Sequence, residues 1–265
     1  MTDDAATVPR ALPVVAFFDV DKTLVNGASA MFLARAARSL GIVGRKDLAR
    51  FGWEALKFRR HGERMSVLDE VRERALQLLA GHPAAELHRL AGQVVHSMQP
   101  KIWPETRALL DAHREAGHEV WLISATPDFL AAELATALGA TGGIGSGLEI
   151  EDGVFTGRFT GPTMHGAEKA VAATALMRAH GCDPVDCFAY SDSVNDLPLL
   201  TAVGTPVAIN PDRALAQHAA GRGWRSITLD PASIRAERKR LRSRTARAGT
   251  AGAAPVVPER RPPDA

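Results

Sequence analysis

The sequence predicts an α/β fold, a Rossmann-like parallel-sheet core with an inserted all-helical cap domain. Three features point to it. Short apolar runs alternate with amphipathic helical patterns, one long helix-only segment interrupts them after the first run, and polar residues rich in acid follow the ends of several runs. Alternation of this kind is the mark of parallel strands joined by crossover helices.

The first strand is expected over residues 14–18, and the next ones over 119–123, 187–190, 206–209 and 226–229. All are short and apolar throughout, as strands covered on both faces should be. Between them, helical spacing covers 104–116, 127–138, 167–180 and 196–202, several starting beside Pro or after Thr, Gly or Asn. The stretch LEIEDGVFTGRF alternates around Asp152-Gly153, a hairpin signal. From about Ser29 to Met98 only helical patterns occur: MFLARAARSL, DLARFGWEALKFRR, MSVLDEVRERALQLLA and AAELHRLAGQVVHSM. An insertion here follows the carboxyl end of the first strand, where open α/β sheets bind ligands, so it is placed to act as a lid. The expected organisation is therefore a core of residues 1–26 and 99–230, a helical cap of 27–98 and a basic tail of 231–265.

Composition narrows the class. The chain has 265 residues, 46% hydrophobic and 23% charged, enough for a sizeable core. The acidic, proline-containing start lacks a signal-peptide run, and no segment approaches the ~18 apolar residues of a membrane span, so a cytoplasmic location is expected. The two cysteines, Cys182 and Cys187, are too few for a disulfide framework and lack metal-site spacing. A formal charge of +2 hides an asymmetry: from Pro231 onward nine basic residues face three acidic ones, leaving the body net negative. The tail reads as a charged helix running into disorder, either simply solvated or weakly attracted to an anionic membrane surface. It has no aromatics for base stacking, so no specific nucleic-acid partner is expected.

The chemistry gathers at strand ends. In FFDVDKTLV, Asp19 and Asp21 lie two residues apart just past the first strand, on one side if extension persists. Two converging carboxylates repel and call for a cation, a shared proton or divergent orientations. FAYSDSVND adds Asp192 and Asp196 at another strand-to-helix turn, and such hard oxygen ligands suit Mg²⁺ rather than zinc. WLISATP places Ser124 and Ala125 in a turn whose hydroxyl and backbone N–H groups make an anion site. Lys169, near the start of a helix, supplies a cation. Together these describe a phosphoryl site. Singly, each has a plainer reading, with Asp21 and Thr23 a turn motif and Asp196 a helix N-terminal acid.

DVDKT, Ser124, Lys169 and SDSVND, in this order, resemble the four motifs of haloacid dehalogenase superfamily phosphatases, and the helical insertion resembles the cap of the phosphoserine phosphatase-like branch. The resemblance covers roughly residues 13–230. It implies a Mg²⁺-dependent phosphomonoester hydrolase in which Asp19 attacks phosphorus and Asp21 serves as acid, then base. Asp19, the Asp21 backbone carbonyl and Asp192 would hold the metal, with Asp196 orienting its waters or Lys169. Ser124, Ala125 and Lys169 would hold the transferring oxygens, supported by Thr23 and Asn195. In phosphoserine phosphatases a glutamate follows the first motif; the register of TLVNGASAMF puts Ala28 there, a departure. In the cap, KFRRHGER offers Arg59, Arg60 and His61 to an anionic substrate group, or merely forms a solvated helix end. The expected partner is a small-molecule phosphate ester. Phosphoserine hydrolysis proper, a lysophospholipid-type phosphatase, phosphotransfer to an alcohol and a non-catalytic regulator are the alternatives.

Overall fold

A computed structural model describes residues 12–39, 41, 44 and 80–250. Six parallel strands form one sheet, in the order β3-β2-β1-β6-β7-β8. They are β1 (Val15–Phe18), β2 (Glu119–Pro127), β3 (Gly142–Ser146), β6 (Phe188–Ser191), β7 (Thr205–Ile209) and β8 (Arg225–Ile227). The hairpin β4 (Leu148–Glu151) and β5 (Val154–Phe159) is separate and antiparallel. Its turn is Asp152-Gly153 with φ of 49° and 78°, the doubly positive geometry that an Asp-Gly pair suits.

The helices are α1 (Ser29–Ser39), α2 (Ala84–Met98), α3 (Pro104–Glu115), α4 (Asp128–Leu138) and α5 (Ala167–His180). They continue with α6 (Leu197–Thr201), α7 (Arg213–Arg222) and α8 (Pro231–Thr250). The expected helix over 127–138 starts one residue later, because Pro127 still pairs with Ser146 in the sheet. The one expected over 196–202 starts at Leu197, after a 3₁₀ turn of Val194–Asp196. The patterns over 47–60 and 65–79 lie outside the described residues.

Two faces of β1 build the core by the period-2 rule. Val15 and Phe17 join Ala189 and Ala208 against Ala173 and Met177 of α5, Leu199 and Leu200 of α6 and Leu215 and Ala219 of α7. On the opposite face Phe18 stacks on Tyr190, with ring centroids 4.3 Å apart, and its edge meets His113 of α3. Strand β1 sits between β2 and β6, pairing Phe18 with both Leu122 and Tyr190. Chain order reverses there, the switch point at which such sheets open a ligand crevice.

Strand β3 was not expected, since GGIGS has neither apolar alternation nor β-branched enrichment. Its glycines answer to close packing. A Cβ on Gly142 would run into the Trp121 ring, and one on Gly143 would fall on the Ala131 carbonyl of α4. Isolated glycine in a strand marks this kind of backbone approach.

The insertion leaves and rejoins the core through paired segments. Asn26 donates its N–H to the Lys101 carbonyl at 2.8 Å and Trp103 to that of Leu24 at 3.0 Å, with Val25 and Ile102 bridged between them. Helix α2, although inside the expected cap, buries Leu87, Leu90, Ala91, Val94, Val95 and Met98 and packs on α1 and on α4. The hairpin meets the segment ahead of α2: Phe155 donates to His82, and Gly81 to Phe155.

The chain divides into compact units at Leu229/Asp230. The second contains α8, where Arg235, Arg238, Lys239 and Arg240 are exposed. Among the described residues no helix is long and apolar enough to cross a membrane.

Replacing Gly143 by Ala should destabilise the protein by about 1–3 kcal/mol, the usual cost of forcing a methyl into a filled space. Urea denaturation measures it, and a change below about 0.5 kcal/mol would mean that α4 can withdraw from β3 freely.

Candidate active site

The carboxyl ends of β1, β2 and β6 and the first turn of α5 bring the site together. Asp19 extends the β1 ladder by one residue, its N–H donating to the Tyr190 carbonyl at 3.0 Å. The chain then turns back, with Leu24 and Val25 both donating to the Val20 carbonyl, and Lys22 takes the left-handed φ of 62°. A lysine there costs roughly 1–2 kcal/mol of backbone strain.

Lys169, the third residue of α5, is only 3% exposed. Its Nζ donates to Asp19 Oδ1 at 2.6 Å and to Asp196 Oδ2 at 2.7 Å. Ser191 Oγ donates to the same Asp196 oxygen at 2.7 Å. An ammonium in a helix's first turn opposes the macrodipole, and burying it costs several kcal/mol unless paired. The two carboxylates supply that pairing.

Burial pushes the Asp19 carboxyl well above the usual carboxylate range; Lys169 opposes this, while Asp196, Asp192 and Asp21 reinforce it. Burial likewise raises Asp192 to about 6, opposed by Lys22 and Lys169 and reinforced by Asp196 and Asp21. For Lys169, burial lowers the pKa, but Asp19 and Asp196 outweigh it and hold the ammonium protonated. Raised acids and a strengthened base at one ion pair pull in opposite directions. The 2.6 Å contact favours the charged pair, and the raised acids reflect burial first, reinforced by the neighbouring carboxylates. Asp19, Asp192 and Asp196 are all buried around one buried ammonium, Lys169, so the ionised buried set carries an excess of negative charge that the exposed Lys22 offsets in part at Asp192.

A divalent cation fits that deficit. Among the described residues no group of three His, Cys, Asp or Glu side chains forms a metal cage. Asp19, Asp192 and the Asp21 carbonyl would offer a sparser donor set, of the kind that suits Mg²⁺, an ion that keeps several waters.

The other expected residues have the following partners. Thr23, expected to help bind phosphate, is fully buried and donates to Asp192 Oδ1 at 3.4 Å, so it supports a carboxylate instead. The Asp21 carboxylate turns to the start of α1, accepting Ser29 N–H at 2.8 Å and Ser29 Oγ–H at 3.0 Å. Ser124 is 2% exposed, and its Oγ accepts the Thr126 N–H at 3.3 Å, which leaves the Ser124 O–H proton to donate elsewhere. The Ala125 carbonyl accepts Ser146 Oγ–H at 3.1 Å. Asn195 is exposed, and its N–H donates to Ser193 Oγ at 3.3 Å. Arg59, Arg60 and His61 lie outside the described residues.

Sequence reasoning missed Lys22, whose Nζ stands 3.9 Å from Asp192 Oδ2, and Ser29 and Ser191. Ser191 was legible as the polar residue closing an apolar strand beside Asp192; the Asp21 contact with Ser29 has no local signal. Also missed was the layer beneath Asp19, where the Tyr190 hydroxyl and His113 Nε2 share a 2.8 Å hydrogen bond. Burial there lowers His113 to about 4 and raises Tyr190 to about 12.

A family model for haloacid dehalogenase-like hydrolases matches residues 16–201. The chain is 43% identical over 218 residues to a Mycobacterium tuberculosis protein named phosphoserine phosphatase SerB1, covering 82% of this chain and 71% of that one. It is 32% identical over 221 residues to a Neisseria meningitidis protein named histidinol-phosphatase, covering 79% of this chain and 96% of that one. A crystal structure of a Bordetella pertussis protein of unknown function superposes with a TM-score of 0.72 at 30% identity, covering 82% and 98% of the two chains.

If Asp192 helps to hold Mg²⁺, proton and cation would compete for it, so stabilisation by added MgCl₂ should be largest well above pH 6 and shrink as pH falls through about 6. Melting curves with and without MgCl₂ across that range read it directly. The opposite dependence of His113 cancels in the difference, and a shift unchanged by pH would remove Asp192 from the cation site.

Proposed function

We propose, from the premise that this chain belongs to the haloacid dehalogenase-like hydrolase family, that it is a Mg²⁺-dependent phosphatase of small phosphorylated metabolites working through an aspartyl phosphate. The observation that carries this reading is the Lys169 ammonium held between Asp19 and Asp196 at the switch point of the sheet. It fixes the orientation of the Asp19 carboxylate at the carboxyl end of β1.

In the proposed sequence Asp19 attacks phosphorus, and the ester oxygen leaves with a proton from Asp21. Asp21, now a carboxylate, takes a proton from water, and that water attacks the aspartyl phosphate, releasing inorganic phosphate and restoring Asp19. Lys169 and the Ser124 hydroxyl donate to the equatorial oxygens, where charge accumulates. Mg²⁺ held by Asp19, Asp192 and the Asp21 carbonyl would offset the charge of the acids and polarise a phosphoryl oxygen. Asp21 reaches the leaving oxygen by giving up its bonds to Ser29, which ties its availability to the position of α1.

The named relatives narrow the leaving group. Phosphoserine and histidinol phosphate are both phosphate esters of small amino-bearing alcohols, and we extend that class to this chain. Ala28, exposed beside the start of α1, supplies no carboxylate for the amino group, so its recognition would fall to another residue. A cytoplasmic setting accords with the unpaired thiols of Cys182 and Cys187. The exposed arginines of α8 support weak contact with an anionic membrane surface, the second part of this reading.

The purified protein should hydrolyse an aryl phosphate only with Mg²⁺, and Asp19→Asn should lower kcat by at least about 10³-fold, since the nucleophile is lost. Undiminished turnover by that variant would exclude the covalent mechanism. Truncation after Asp230 should abolish sedimentation with phosphatidylserine vesicles at low salt; equal sedimentation of both forms would end the membrane reading.

A further inference from the structure

Outside the residues considered so far, one side chain touches the acidic loop from below. Asp212 begins α7, after a turn in which Asn210 takes φ 43° and accepts the Leu229 N–H on its side chain at 2.6 Å. The Asp212 N–H donates to the Asp192 carbonyl at 2.8 Å. Its Oδ2 accepts the Val194 N–H at 2.9 Å, while Oδ1 accepts the Leu215 N–H at 2.8 Å as the helix cap.

The loop so gripped runs from Asp192 to Asp196, and its short 3₁₀ turn begins at Val194. Asp196 grips Lys169 at one end of it, and Asp192 opposes Asp19 at the other. One carboxylate thus holds a helix start with one oxygen and the site loop with the other. Capping needs only the first.

We propose that Asp212 is a positioning residue for the cation site, using its second oxygen to hold the Asp192–Asp196 loop at the separation from Asp19 that a bound Mg²⁺ requires. The inference rests on the Mg²⁺ reading above. It adds a residue, from a different strand-helix connection, that touches neither substrate nor metal.

Capping and clamping separate by substitution. Ser and Asn cap helices about as well as Asp, so Asp212→Ser and Asp212→Asn preserve the bond to Leu215. Serine is too short to reach Val194 as well. Asparagine keeps the shape but offers an N–H₂ where an acceptor is needed. Titration calorimetry with MgCl₂ alone should show Mg²⁺ binding weakened about threefold to tenfold in both variants, the worth of one hydrogen bond. Their melting temperatures without metal should stay near wild type, and the MgCl₂ concentration for half-maximal aryl phosphate turnover should rise in proportion. Mg²⁺ affinity within twofold of wild type in both would overturn the proposal and leave Asp212 a helix cap. If the wild-type chain itself bound no Mg²⁺, the underlying reading would fall instead, a result the same titration distinguishes.

Discussion

The buried ion triad of Asp19, Lys169 and Asp196 is the constraint on which the rest of the structure depends. None of the three would tolerate burial alone, since an isolated charge in the interior costs several kcal/mol. They come from β1, α5 and the turn after β6, elements far apart in the chain. These charges are therefore compensated only where β1, β6 and α5 come together. Stability and chemistry are joined at one point, as expected where perturbed acids cluster.

The sheet determines where that point lies. Strand β1 is short and wholly buried, with β2 and β6 on either side, so its end opens at the reversal of chain order rather than at an edge. Beneath it Phe18 stacks on Tyr190 with His113 edge-on to both, and the neutral His113 keeps positive charge out of that layer. Above it the buried carboxylates outnumber the buried ammonium. Charge within the site is thus set by which side chains each face of β1 and β6 presents.

Much of this was legible from residue patterns. The bounds of α5 and the turn at Asp152-Gly153 follow from helical spacing and from the positive φ that an Asp-Gly pair accepts. Asp19, Asp192, Asp196 and Lys169 could be gathered because strand ends of parallel sheets share one edge. Other features had no local signature. Strand β3 is defined by what its glycines allow to come near, a property of α4 and Trp121. Thr23 looked like an anion donor, but the direction of its hydroxyl depends on the β6 loop 169 residues away. The grip of Ser29 on Asp21 links a turn to a helix start that only the folded backbone brings together.

The paired segments Leu24–Asn26 and Lys101–Trp103 have an architectural consequence. Both ends of the inserted segment emerge at a single doorway, stitched by backbone hydrogen bonds that are indifferent to side-chain identity. Closing a longer or shorter excursion across such a doorway costs little, because loop entropy grows only logarithmically with length. The segment's length can change while the root that carries Asp19 stays untouched.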